Sequence, residues 1–272
     1  MRSIPSRRVQ NSWLVGLAVA LGACQTPSDP PLETPADSLA QRLVDASGGH
    51  AAWAALPALR FDWVVQTDSA ELVRVRHLWD RAGDRARVEW SAGQDSTLVA
   101  VMAPGVFDPG SPAGSAALTV SDGPPEVLSG DAALDALRDA HARWVNDTYW
   151  MIAPVKTFDP GVDRALAPDS GAATLALSFG RVGLTPGDRY WLRLGDDGAM
   201  EGWTYVLEGD SAATRWTWTD PRTVSGPRGD VTVWATKRKD GEPVEIVTRP
   251  LRVPAFDDAT FADLAPRLAG SE

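Results

Sequence analysis

The chain has 272 residues, with 26 Lys plus Arg against 36 Asp plus Glu, three His, one Cys and a formal charge of −10. One or two ordinary domains fit this length, and the core can be sizeable. A single Cys excludes a disulfide scaffold or a paired-thiolate zinc site, and the acidic balance argues against nucleic acid or an anionic membrane surface as main partner.

The chain opens on a leader pattern. Arg2, Arg7 and Arg8 precede the apolar run Trp13 to Leu21, which is too short to span a bilayer. The run ends in Leu21-Gly22-Ala23-Cys24, which resembles the lipobox of bacterial lipoproteins, where the thiol takes a diacylglyceryl group before cleavage. The only cysteine stands where that motif needs it. The expectation is a signal peptide over 1–23, a lipid on Cys24, and a cell-envelope protein tethered to a membrane it does not cross. Asp after the cysteine favours the inner membrane in such lipoproteins. Gln25 stands there instead, which points to the outer membrane, facing the periplasm. Residues 24–36 are rich in Pro, as a semi-rigid spacer is, and a single domain is expected over 37–272.

Leu39, Leu43 and Val44 recur at helical spacing, and Gly48-Gly49 stops that helix. A second short helix is expected from His50 to Leu56, before Pro57. From Phe61 the period becomes 2: Phe61, Trp63 and Val65, then Val73, Val75, His77 and Trp79, then Ala86, Val88 and Trp90. Their alternates are largely charged, which predicts a hairpin meander with one apolar and one wet face. Between Gly93 and Ser129, five prolines and five glycines leave room for short strands at Thr97–Met102 and Ala116–Val120. A long helix follows, with Asp131 as N-cap and a stripe of Leu134, Leu137, His141, Trp144 and Val145, reaching toward Pro154. The remainder returns to period 2, with turns at 195–198, 209–210 and 239–242. Consecutive strands with short turns mean an antiparallel meander.

Helix, antiparallel strands, one inserted helix and resumed strands form an order that resembles the LolA/LolB-like superfamily of periplasmic lipoprotein carriers and lipid binders. Local pieces are similar to envelope lipoproteins of that superfamily from bacteria of the Bacteroidota type. They are Ala46-Ser47-Gly48-Gly49 with Trp53 and Leu56, Trp144 to Pro154, and Phe158-Asp159-Pro160-Gly161; Tyr190 to Leu194 and Trp203-Thr204-Tyr205 match in pattern. The resemblance implies an α+β fold in which a strongly curved antiparallel sheet, a half-barrel, wraps around a central helix and leaves an apolar cavity.

Motifs for chemistry are sparse. No H-E-x-x-H, P-loop, G-x-G-x-x-G or G-x-S-x-G is present, so no catalytic residue, metal or cofactor is assigned. His50, His77 and His141 read as core histidines with one hydrogen bond. Asp196-Asp197 and Asp257-Asp258 read as turn residues. Arg74, Arg76, Arg85 and Arg87 either cluster for an acidic headgroup or, the reading preferred, pair with Asp80, Asp84 and Glu89 on a solvated face. The aromatics say more. Trp63, Trp79, Trp90, Trp144, Tyr149, Trp150, Trp203, Tyr205, Trp216 and Trp218 fall mostly on the apolar phase of their elements. They either fill a core or line a cavity for an acyl chain, with Tyr149 and Trp150 at its mouth. The function expected is non-enzymatic binding of a lipid or other hydrophobic molecule in the envelope; the alternative is a scaffold or partner-binding lipoprotein with a packed core.

Overall fold

The computed structural model describes residues 32–167, 173–179 and 187–270. The leader over 1–23, Cys24 and the tether up to Pro31 lie outside the described residues. Helix α1 spans Pro35–Ala46, starting slightly before the expected Asp37. Thr34 caps it: its hydroxyl accepts from the Asp37 N–H, and the Asp37 carboxylate accepts from the Thr34 N–H. That reciprocal pair, with Pro35 at the first position, satisfies donors that would otherwise be orphaned. Gly48 ends the helix at φ +100°, where a Cβ would fall 2.3 Å from the Asp230 carbonyl oxygen. Only glycine meets both demands. Helix α2, His50–Ala55, follows, and the Trp53 indole donates to the Ser47 carbonyl at 2.8 Å.

The sheet comes in two runs. The first holds β1 Ala58–Thr67, β2 Glu71–Asp80, β3 Arg85–Ser91, β4 Ser96–Met102, β5 Gly114–Val120 and β6 Glu126–Val127. Helix α3, Gly130–Ile152, separates it from β7 Val162–Leu166, β8 Thr174–Phe179, β9 Arg189–Leu194, β10 Met200–Val206, β11 Thr214–Gly226, β12 Gly229–Lys239 and β13 Val244–Arg252. All named pairs are antiparallel, in the order β6-β5-β4-β3-β2-β1-β13-β12-β11-β10-β9-β8-β7. The last strand therefore pairs with the first. Two meanders fuse along β1 and β13 into one curved, open sheet, with β6 and β7 at its edges. Helix α3 carries the chain from one edge to the other, and it packs on β3, β4, β5 and β12 at once. A flat sheet would not bring these strands to one helix; a curved one does.

The inward phase of β1 to β3 and β11 to β13 is the one read from period 2. Three local expectations change. Ser129, not Asp131, is the N-cap of α3, and Asp131 sits in the first turn, where its charge still complements the helix dipole. The buried stripe of α3 is Ala136, Leu137, Ala140, Asp147, Thr148, Met151 and Ile152, with His141, Trp144 and Val145 only half-buried. Strand β7 carries Asp163 and Arg164 between its apolar residues and was not foreseen.

The largest departure is the outer face. The charged side of β1 to β3 was expected to be wet, yet Arg60, Asp62, Arg87 and Glu89 are all buried. The segment after β13 covers them, through Phe256, helix α4 at Ala259–Ala262, and Leu268. Arg87 donates to the carbonyls of Thr260 at 2.9 Å and Asp263 at 2.5 Å, and pairs with Glu89 at 2.7 Å. Glu89 in turn accepts from the N–H groups of Arg267 and Leu268, each at 3.0 Å. Arg60 pairs with Asp62 at 2.5 Å and donates to the Leu268 carbonyl at 2.7 Å. The four arginines do not gather into a headgroup site. Arg74 binds Asp62 and Glu71, Arg76 lies 3.9 Å from Asp62, Arg85 binds Asp80 and Asp258, and Arg87 is locked under the C-terminal strap.

Candidate functional site

The site is built on the inner surface, between the sheet and α3. Trp63 of β1, Trp90 of β3, Trp203 of β10, and Trp216 and Trp218 of β11 are each 5% exposed or less and belong to one core cluster. Tyr205, Trp144, Tyr149 and Trp150 pack against it half-buried. Trp79 sits in a neighbouring cluster with Leu56, Leu59 and Phe61, and meets Trp144 edge-on with centroids 5.2 Å apart.

Trp150 is the hub. Its ring lies 4.4 Å from Trp203, 5.0 Å from Trp216, 5.9 Å from Trp63, 6.0 Å from Tyr205 and 6.4 Å from Trp218. Most of these contacts are edge-to-face, the arrangement the ring quadrupole favours. Tyr149, the next residue on α3, contacts Phe179, Tyr190 and Trp203 at about 6 Å. Burial pushes the Tyr149 phenol well above its usual range, and burial beside Asp188 does the same to Tyr190. Both hydroxyls stay protonated at any physiological pH.

Hollows run along α3. One of about 350 Å³ is lined by Trp63, Val73 and Val75 of the sheet and by Asp139, Ala142, Arg143, Asn146 and Asp147 of α3. It shares Val73 and Arg143 with an open trough of about 740 Å³ that reaches Trp90, Arg74, Arg76 and Ser121. A third, about 390 Å³, is apolar and lies among Leu98, Leu118, Leu128, Ala132 and Ala136. A fourth of the same size is bordered by Leu56, Trp79, Arg81 and Trp144. Trp63, Trp79, Trp90 and Trp144 thus face hollows, while Tyr149, Trp150, Trp203, Tyr205, Trp216 and Trp218 pack ring on ring.

Polar groups in this interior are few and specific. His77 stacks on Phe61 at 4.6 Å, and its Nε2 lies 2.8 Å from the Asp147 carboxylate of α3. This ties the helix to β2 and matches a core histidine with one partner. His141 stacks on Phe107 at 4.1 Å, and burial lowers its pKa. His50 meets Phe158 edge-on. The acidic pairs serve turns: Asp197 accepts from the Ala199 N–H, and Asp257 from Thr260. Among the described residues no group of three or more His, Cys, Asp or Glu could hold a metal ion, and no helix is long and apolar enough to cross a membrane.

Two inner residues escaped the sequence reading. Tyr190 shares the phase of Leu192 and Leu194 and could have been added on that ground. Lys237 was missed because Lys normally marks an outward position. It continues the phase Val231, Val233, Ala235, and it is fully buried. Its Nζ sits 5.0 Å from the Trp218 ring centre and 5.8 Å from that of Trp63, with a single hydrogen bond, 3.4 Å, to the Thr248 hydroxyl.

No protein-family model and no curated protein matches the chain. Solved structures do. A DUF1329 family protein from Desulfovibrio piger aligns over 84% of this chain and 97% of its own, at 10% identity and a TM-score of 0.41. A LolA superfamily protein from Nitrosomonas europaea aligns over 82% and 96%, at 11% identity and a TM-score of 0.35. The neighbours include LolA superfamily proteins. A domain described as an outer membrane lipoprotein-sorting protein, from Vibrio parahaemolyticus, covers 82% and 94% at 9% identity and a TM-score of 0.40. The likeness is one of fold, a curved antiparallel sheet around a helix.

Proposed function

We propose that this protein is an envelope lipoprotein, anchored through Cys24, that binds a lipid or other hydrophobic molecule between the curved sheet and α3. It acts by binding and not by catalysis. One observation supports this most: an aromatic inner surface adjoins a row of hollows along α3, one of them lined mainly by Leu and Ala. Ligand pockets are concave and apolar with a small number of placed polar groups, and this interior has that composition. Asp147 and His77 pin α3 in its C-terminal third, and the hollows lie along the turns leading up to that point, so a chain-like ligand has room without undoing the sheet.

The ring-on-ring packing of Trp150, Trp203, Trp216 and Trp218 favours a second reading, a scaffold with a filled core. Its partner surface would be the rim, where Leu72, Val120 and Val127 are exposed. Native mass spectrometry of the full chain carrying Cys24→Ser, recovered from an envelope fraction, separates the two. The binding reading predicts a stoichiometric lipid adduct that organic extraction removes. A clean apo mass with no uptake of an apolar fluorescent probe would transfer the assignment to the scaffold.

A further inference from the structure

The inner cluster has donors without acceptors. The Nε1 atoms of Trp203, Trp216 and Trp218 are buried with no hydrogen-bond partner among the described residues. Beside Trp218 lies Lys237, whose ammonium carries three donors, lies over the Trp218 and Trp63 rings, and makes one long hydrogen bond, to Thr248. No carboxylate of the described residues lies within ion-pair distance of it. The one acid among the buried residues of α3 is Asp147, which is engaged by His77 and Asn146. Buried donors are normally paired, and leaving one unpaired is unfavourable. Three such indoles and a lone buried ammonium in one region favour an acceptor supplied from outside the chain.

We propose that Lys237 and the neighbouring Trp218 indole seat the head of the ligand, and that the ligand is a single-chain carboxylate amphiphile. The carboxylate oxygens accept from the Lys237 ammonium and the Trp218 indole; the chain runs past Trp63 into the hollow along α3. This deepens the hydrophobic-binding reading and rests on it. Three features select the class. A lone buried cation calls for one negative charge, supplied as a charge-assisted pair. The hollow that ends on Trp63, about 350 Å³, is at the small end for ligand pockets and suits one chain better than the two of a phospholipid. Cationic amphiphiles are excluded, since Lys237 already occupies the faces of Trp63 and Trp218 that would hold them.

The test uses the full chain with Cys24→Ser, cis-parinaric acid and its methyl ester, read by energy transfer from tryptophan at pH 6.5. The acid should bind roughly tenfold or more tightly than the ester, as expected for a charge-assisted pair. Lys237→Met should abolish that preference while keeping ester binding, and Trp218→Phe should reduce it by a smaller factor. Trp218→Phe decides the matter alone should Lys237→Met not fold. Oleate should displace the bound probe, and dioleoyl phosphatidylglycerol should not. Equal affinity for acid and ester, an unchanged preference in Lys237→Met, or equal displacement by the phospholipid would overturn the carboxylate assignment while hydrophobic binding stands. Failure of both probes to bind would overturn hydrophobic binding and this inference together.

Discussion

Lys237 is the residue where packing and charge conflict most openly. Burial pushes its ammonium down to about 7 from an ordinary 10.5, since the Trp63 and Trp218 rings and the Thr248 hydroxyl facing it carry no negative charge. Of the titratable groups that α3 presents toward this interior, Asp147 is bound to His77, and Tyr149 stays protonated. Between pH 7 and 10.5 the unfolded chain holds a proton that the folded chain has released, so stability rises with pH across that window. The penalty is fully present below pH 7. Lys237→Met should therefore raise the melting temperature at pH 6.5 and flatten its rise toward pH 10; thermal melts across that range check both. Trp150 carries the opposite expectation. It was read as bordering a cavity mouth, but it is the hub of the ring cluster, so Trp150→Ala should destabilise by about 3–5 kcal/mol and Trp150→Phe by clearly less. Urea titration measures the difference. Loss of probe binding in Trp150→Ala is meaningful only under conditions where that variant remains folded.

At the scale of elements, the C-terminal strap turns an outer sheet face into interior. Arg87 and Glu89 are both fully buried, so removing one leaves the other uncompensated, at about 3–5 kcal/mol. Replacing both by apolar residues of similar volume should be much milder. A double-mutant cycle on Arg87→Met and Glu89→Leu, followed by denaturant, reports the coupling; additive losses would show that the strap does not depend on the pair. The wet face predicted from Arg85, Arg87 and Glu89 failed for a reason local pattern does not contain. Period 2 assigns residues to faces, but what later covers a face is a long-range fact, here contributed by residues some 170 positions away. The start of α1 was missed for a local reason, since Pro35 marks the first turn of a helix as readily as a spacer. Thr34, read as part of the spacer, instead forms a capping box with Asp37, and Thr34→Ala should reduce stability by about 0.5–2 kcal/mol.

For the whole molecule, the strand phases, the two leading helices, the inserted helix and the hairpin turns were legible, because each rests on spacing and turn chemistry within a dozen residues. The pairing of β1 with β13 was not, since strands of two meanders can join along several edges and only the packed core selects one. The candidate aromatics were legible by phase. Their division was not: Trp63, Trp79, Trp90 and Trp144 face hollows, while the rings around Trp150 fill space. That division sets the central claim, an interior that admits a hydrophobic guest alongside a packed aromatic wall. The most direct test is tryptophan emission of the full chain with Cys24→Ser, titrated with a bromine-substituted fatty acid. The account predicts saturable quenching at about one molecule per chain, because many of the tryptophans share this interior. Emission that stays constant, or that falls only linearly as in collisional quenching, would contradict it.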